Sequence, residues 1–293
     1  MDYRILAIGD IVGAPGRDAV RHLLGALRSE RRVDLVIANA ENAAGGDGLT
    51  PPIARSLFAA GVDVITTGDH VWRHREIVPY LEQEQRVLRP ANYAPGAAGS
   101  GMAVAETAGG VRVAVVNLIG RIFMPPADSP FVAVERLLEQ LDRHVRLIIV
   151  DFHAEATAEK IAMGWALDGR VTAVLGTHTH VQTADECVRP GGTGYITDLG
   201  MTGPHRSVIG RRIEPVLYHL TRQMREPFGV ASEDVRLCGA LVTADTVSGR
   251  TVSIERINVP FERPVPASSS GDSAREGGRG NVAGDTEQGP ASR

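Results

Sequence analysis

Apolar runs of strand length recur along this chain, and a run with apolar residues at helical spacing follows each of the first three: YRILAIG then GRDAVRHLLGALRSE, VDLVIAN then PPIARSLFAAG, VDVITTG then HREIVPYLEQE. VRVAVVN, RLIIVDF and RVTAVLG extend the series, with helices expected near Pro130 to Arg143 and Ala154 to Leu167. Strands this uniformly apolar must be covered on both faces, and helices alternating with them supply the cover, so the chain is read as α/β. After Gly200 the pattern changes. A helix near Ile213 to Met224 precedes RLCGALVTADTVSGRTVSIERINV, two strand-like runs joined by a turn at Ser248 and Gly249, which reads as an antiparallel hairpin. The expectation is a layered α/β sandwich with central mixed sheets flanked by helices.

One domain is expected over residues 1–263, with a loop-rich insertion over 88–110, where RPANYAPGAAGSG places Pro and Gly at turn positions. From 264 to 293 the chain is Ser, Gly, Pro and charge with no aromatic residue, too little apolar surface to offset the entropy of ordering. A disordered tail is expected there. Cys187 and Cys238 stand far apart with no C-x-x-C, which argues against a disulfide framework or a cysteine zinc site and fits a reducing cytoplasm. MDYRILAIGD enters a strand at once and no run approaches membrane-spanning length, so neither secretion nor a membrane partner is expected. The formal net charge of -4, with acids and bases interspersed, offers no basic stripe for a nucleic-acid backbone. A small nucleotide is not excluded by that balance, and a homo-oligomer is left open.

Ligands of open α/β sheets gather beyond the carboxyl ends of the strands. The first strand ends at Asp10, the second at Glu41 and Asn42, the third at Asp69 and His70, the strand at Leu147 at His153, and RVTAVLG at His178 and His180. Alternate residues of an extended chain point the same way, so both imidazoles of the His-Thr-His run are expected to face one spot. Each residue alone has an ordinary reading: Asp10 or Glu41 as a helix cap, His153 as a hydrogen-bonded core histidine. Together, three carboxylates, an amide and four imidazoles at one edge of one sheet would repel or strand buried charge without a cation between them. This donor set exceeds the four ligands of a structural zinc site and suffices for two metals. Two ions about 3.5 to 4 Å apart suit phosphate ester hydrolysis and need a bridging carboxylate, for which Glu41 is the candidate. A nucleotide loop is the rival reading of GDIVGAPGRDAV, but Gly9, Gly13 and Gly16 do not form G-x-G-x-x-G and no Gly-Lys-Ser/Thr follows. A helix starting at Arg17 would still favour an anion near Asp10.

The order GD, AEN, TGDH, DFHAEATAEK, GTHTHVQTADE and YITDLGMTGP resembles the calcineurin-like metallophosphoesterases, and within them the bacterial YmdB-like branch, which acts on 2′,3′-cyclic nucleotides. The resemblance runs from Tyr3 to Val259. It implies the metallophosphoesterase sandwich, with one metal on Asp10, Glu41, Asn42 and His180 and a second on Glu41, Asp69, His153 and His178. Glu41 would bridge, His70 would protonate the leaving alkoxide, and the two ions would be iron or manganese. The chemistry agrees on His70, since histidine is the side chain that titrates nearest neutrality. Where the wider superfamily begins Asp-x-His this chain has DIV, as the YmdB-like branch does, and Asn42 is the substitute ligand. Where the family has Gly-Asn-His this chain has Gly68-Asp69-His70. Aspartate binds a hard cation at least as well as an amide oxygen, but its extra negative charge weakens Lewis acidity and raises the pKa of a bound water.

The expected reaction is therefore hydrolysis of a phosphodiester such as 2′,3′-cyclic AMP. Two other readings stay open: a phosphomonoesterase or nucleotide pyrophosphatase on the same site, or a regulatory protein that binds metal and nucleotide with little turnover. Gly45 and Gly46, Arg121 and RPANY are weaker candidates for contact with substrate, and Trp72 and Trp165 are read as core residues on helical segments.

Overall fold

The computed structural model describes residues 1–107 and 109–262; the expected tail lies outside them. Three β-α pairs open the chain: β1 (Asp2–Ile8) and α1 (Gly13–Glu30), β2 (Leu35–Asn39) and α2 (Pro51–Ala59), β3 (Val64–Thr66) and α3 (Ile77–Gln83). The middle holds β4 (Met102–Glu106), β5 (Arg112–Ile119), α4 (Pro130–Gln140), β6 (Leu147–His153), α5 (Thr157–Ala166) and β7 (Ala173–Thr177). The short strands β8 (Cys187–Val188), β9 (Gly194–Ile196) and β10 (Gly203–Pro204), then α6 (Ile213–Arg222) and the hairpin β11 (Val235–Asp245) with β12 (Thr251–Pro260), complete it.

These strands form two six-stranded mixed sheets, in keeping with the expected layered sandwich. In the first, β1 pairs in parallel with β2 and antiparallel with β11, and β2 continues in parallel to β3. In the second, β5, β6, β7 and β9 run parallel, with β4 and β8 antiparallel at its edges. Period-two alternation explains why both must exist. Ile5 and Ala7 of β1 and Leu35 and Ile37 of β2 face Val113, Val115, Leu147, Ile149 and Leu175 of the other sheet in one buried layer. Leu6 and Ile8 face the other way, onto Val20 and Leu24 of α1 and Leu57 of α2. Val116, Val150 and Phe152 pack outward on Val134 of α4 and Met163 of α5. The result is an α/β/β/α sandwich.

Local signals place the helix ends with small shifts. Ser129 accepts from the Val132 N–H and Pro130 occupies the first turn of α4. α1 starts at Gly13, earlier than Arg17, because the chain turns into helix as soon as the Val12 N–H has bonded to the Thr202 carbonyl. Arg17 instead donates to the Ala43 carbonyl and ties α1 to the turn after β2. The 88–110 stretch is loop up to Ser100 but contributes β4, an edge strand paired with β5. Both tryptophans depart from their expected core role: Trp165 on α5 is 56% exposed, and Trp72 lies in a turn rather than a helix and is 36% exposed. Among the described residues no helix is long and apolar enough to cross a membrane.

Polar bridges fix the sheets to each other near their carboxyl ends. Asn39 of β2 donates to Asp151 of β6 at 3.2 Å, Thr66 of β3 donates to the same carboxylate, and the Thr67 N–H donates to Asn117 of β5 at 3.0 Å. The strand ends of both sheets are thereby held at one place.

Candidate metal centre

Every residue read from the strand ends arrives there. Asp10 follows β1, Glu41 and Asn42 follow β2, Asp69 and His70 follow β3, His153 is the last residue of β6, and His178 and His180 follow β7. They come from two facing sheets, not from one edge of one sheet, and this brings carboxylates from one layer against imidazoles from the other. Asp10, Glu41, Asn42 and His153 are buried.

Glu41, Asp69, His153 and His178 form the tightest group, each offering one ligand atom with all of these within 4.8 Å of one another. His153 Nε2 stands 3.0 Å from His178 Nδ1, 3.2 Å from Asp69 Oδ1 and 3.3 Å from Glu41 Oε2. Ligands bound at about 2.1 Å on neighbouring positions of one cation stand about 3 Å apart, so the spacing fits a shared ion. Gly68 makes it possible. A Cβ at that position would lie 2.2 Å from Glu41 Oε2 and 2.3 Å from His153 Nε2.

The other set is looser. Asn42 Nδ2 stands 2.8 Å from Glu41 Oε1 and 3.1 Å from His180 Nε2, and Asp10 Oδ1 stands 4.0 Å from His180 Nε2. Asp10 Oδ2 accepts from the His178 N–H at 3.1 Å, while among the described residues no hydrogen-bond partner meets the buried Oδ1. A buried carboxylate oxygen without a donor is costly, and a cation on it removes the cost. Burial pushes the Asp10 carboxyl up against the pull of His180 and His153. Burial also works against charge on Glu41 and Asp69, but the imidazoles beside them win and hold both carboxyls well below the usual range. The donor set of Glu41, Asp69, His153 and His178 therefore fits a metal ion, while on the Asp10 side Asn42 turns its amide Nδ2 toward Glu41 and His180 and its Oδ1 toward His70.

The His-Thr-His run does not work by extended alternation. β7 ends at Thr177, and His178 and His180 take left-handed backbone, φ 103° and 66°. His178 turns Nδ1 to His153, whereas His180 turns Nε2 to Asn42, so the two rings face different parts of the site. Such backbone persists in non-glycine residues only where the surroundings over-determine it.

His70 sits above this floor, partly open to solvent. Its Nδ1 donates to Asn42 Oδ1 at 2.8 Å and lies 3.3 Å from Glu41 Oε1, and its Nε2 is 3.6 Å from Asp69 Oδ2. Burial lowers the imidazole's pKa, but the bond and charge of Glu41 with the charges of Asp69 and Asp47 outweigh it and raise it.

Sequence reading missed the supports beneath the ligands. Thr177 Oγ1 donates to Asp151 Oδ1 at 2.7 Å, so it accepts from His153 Nδ1 at 2.9 Å and leaves His153 Nε2 free to bind. Asp151 lies two residues before His153 on a strand, hence on the same face, which is the signal that was available. Burial raises its carboxyl to about 6 despite the Thr66 and Thr177 hydroxyls. Glu155 Oε2 meets His178 Nε2 at 3.2 Å and leaves Nδ1 for the site. Of the weaker candidates, Arg121 is exposed with its N–H on Glu159, Gly45 and Gly46 offer their carbonyls to Arg211, and Tyr93 packs on Trp72 with centroids 6.0 Å apart.

The sequence model of the YmdB-like protein family matches residues 6–257. The chain belongs to this family. A Bacillus subtilis protein described as a 2′,3′-cyclic-nucleotide 2′-phosphodiesterase is 44% identical over 254 residues, 87% of this chain and 96% of the relative. A solved structure from Mycoplasma pneumoniae, described as a novel phosphatase, superposes with a TM-score of 0.84 at 35% identity, covering 90% of this chain and 95% of its own. A Thermus thermophilus structure, described as a hypothetical protein, gives 0.83 at 43%, covering 88% and 100%. The sandwich is thus shared with these solved structures.

Proposed function

We propose that this chain hydrolyses phosphodiesters at a two-metal centre, with 2′,3′-cyclic nucleotides such as 2′,3′-cyclic AMP as substrates. The observation that carries the reading is the group of Glu41, Asp69, His153 and His178 at the strand ends, with ligand atoms within 4.8 Å of one another. The 44% identity to a Bacillus subtilis cyclic-nucleotide phosphodiesterase supports the substrate class. Asp10, Glu41, Asn42 and His180 would hold one ion and Glu41, Asp69, His153 and His178 the other, with Glu41 shared and iron or manganese as the metals. When bound, the two cations supply Lewis-acid charge against the phosphoryl oxygens and acidify water.

The chain's own groups do the rest. Nδ1 of His70 is committed to Asn42, so Nε2 is the nitrogen that delivers a proton to the departing ribose oxygen. Asp151, through Thr177, holds His153 in the tautomer that presents Nε2 to the site.

The deciding experiment is turnover of 2′,3′-cyclic AMP beside bis(4-nitrophenyl) phosphate and 4-nitrophenyl phosphate, with manganese or ferrous iron restored to metal-stripped protein. Metal-dependent cleavage of the diesters ahead of the monoester is expected. Preference for the monoester would make it a phosphomonoesterase, and no turnover despite two bound metals would leave a nucleotide-binding regulatory protein. An Asp69→Asn variant run in parallel is expected to be faster, because it removes one negative charge from the second metal's ligands.

A further inference from the structure

Beneath the histidine turn lies an ion pair with no part in the chemistry above. Lys160 on α5 and Asp198, just past β9, are both buried, and Lys160 Nζ donates to Asp198 Oδ2 at 2.7 Å. That same oxygen accepts from the Thr179 N–H at 3.0 Å and from Thr179 Oγ1 at 2.8 Å, while Oδ1 accepts from the Gly200 N–H at 2.8 Å. Thr179 is the residue between His178 and His180. Its backbone and its side chain are thus both pinned to one carboxylate, at the point where the flanking residues hold left-handed backbone.

A buried lysine is an expensive way to hold a loop if stability is all that is needed, since apolar residues of similar volume often serve as well or better. What the pair adds is direction. Three donors gather on one carboxylate oxygen, and the ammonium that is one of them is buried beside it. The chain leaves room for this. A Cβ on Gly176 would stand 3.1 Å from Lys160 Cδ and 1.7 Å from the Thr197 carbonyl oxygen, so the glycine that ends VLG lets the lysine stem pass beneath β7.

We propose that Lys160 and Asp198 are positioning residues of the metal centre, fixing the 178–180 turn from below and so setting where His178 Nδ1 and His180 Nε2 stand. This rests on the metal-centre reading of these histidines. Outer partners of metal ligands typically govern affinity by about 10- to 100-fold.

The test is manganese(II) binding to metal-stripped full-length protein by calorimetry, with thermal unfolding of the metal-free protein and the cobalt(II) absorption spectrum as parallel readouts. The double variant Lys160→Met with Asp198→Asn removes the pair without leaving a buried charge. It is expected to weaken manganese binding by about 10- to 100-fold and to alter the cobalt spectrum, beyond any change in metal-free unfolding temperature. Thr179→Val keeps both ions and removes only the hydroxyl donor; a weaker affinity loss of several-fold is expected, and it serves if the double variant does not fold. Lower unfolding temperature with native manganese affinity and native spectrum would make the pair a structural feature only and overturn the proposal, as would native affinity in Thr179→Val. A native protein that binds no manganese or cobalt would sink the metal reading itself, and this proposal with it.

Discussion

Gly68 lies where the site has no room for a side chain. Any side chain there enters the space between Glu41 and His153, with contacts of 2.2 and 2.3 Å that neither buried group can relieve. Gly68→Ala is expected to lower bound manganese, measured by elemental analysis, and to cut diester turnover by about 100-fold, the scale of loss for a displacement of about 1 Å. His70 gives the opposite signature. It touches Asn42 and Glu41 but lies outside the group of four whose ligand atoms converge, so His70→Ala should retain metal near native content while turnover falls by about 10²- to 10⁴-fold. Full activity in that variant would remove the proton-donor assignment. His70 was a candidate in the sequence because it lies just past an apolar run, whereas the need for Gly68 shows only where Glu41 and His153 close on it. Asp151 carried only its shared strand face with His153 as a signal, and Glu155 carried none, since neither shows in sequence which side chain it will meet.

At the level of elements, the β6 and β7 ladder does what a single residue cannot. Parallel register sets His153 opposite Thr177 and Asp151 opposite Leu175, which aligns the chain from Asp151 through the Thr177 hydroxyl to His153 Nδ1. Thr177→Val keeps the shape but removes both bonds. Leaving buried polar atoms without partners costs about 1–3 kcal/mol, and freeing the His153 ring should weaken manganese binding by about 10- to 100-fold, with circular dichroism unchanged. Native affinity would show that the hydroxyl does not set the ring. The strands themselves were readable from their apolar runs, and the helices from their spacing to within a turn. β4 was not, because its residues alternate weakly and it becomes a strand only by pairing with the exposed edge of β5.

For the whole molecule, the layer between the two sheets is what makes one site out of two sets of ligands. Asp10, Glu41, Asn42 and Asp69 belong to one sheet, and His153, His178 and His180 to the other. Ile149 lies fully buried in that layer, so Ile149→Ala is expected to cost about 2–5 kcal/mol in urea unfolding, and to weaken metal binding as the sheets lose their fixed spacing. A loss below about 1 kcal/mol would mean that the layer collapses around the cavity. The two thiols report the same core. Burial pushes the Cys238 thiol up to about 12, so at pH 8 it stays protonated and unreactive, while Cys187 is exposed. A disulfide exchange reagent should titrate one thiol in the native protein and two after denaturation.

The sequence by itself determined the α/β class, the longer strands and the acids and imidazoles that follow them. Apolar periodicity dictates what must be buried, and an acid or imidazole placed just past a buried strand has one end of the sheet to go to. Only the tertiary structure decided which strands belong to which of the two sheets, and that the ligands come from both. It also decided that His178 and His180 reach different parts of the site through left-handed backbone, and that Lys160, Asp198, Asp151 and Thr177 stand beneath them. Those facts depend on which distant segments meet, and contact across more than a hundred residues, as between Asn39 and Asp151, leaves no period in the chain.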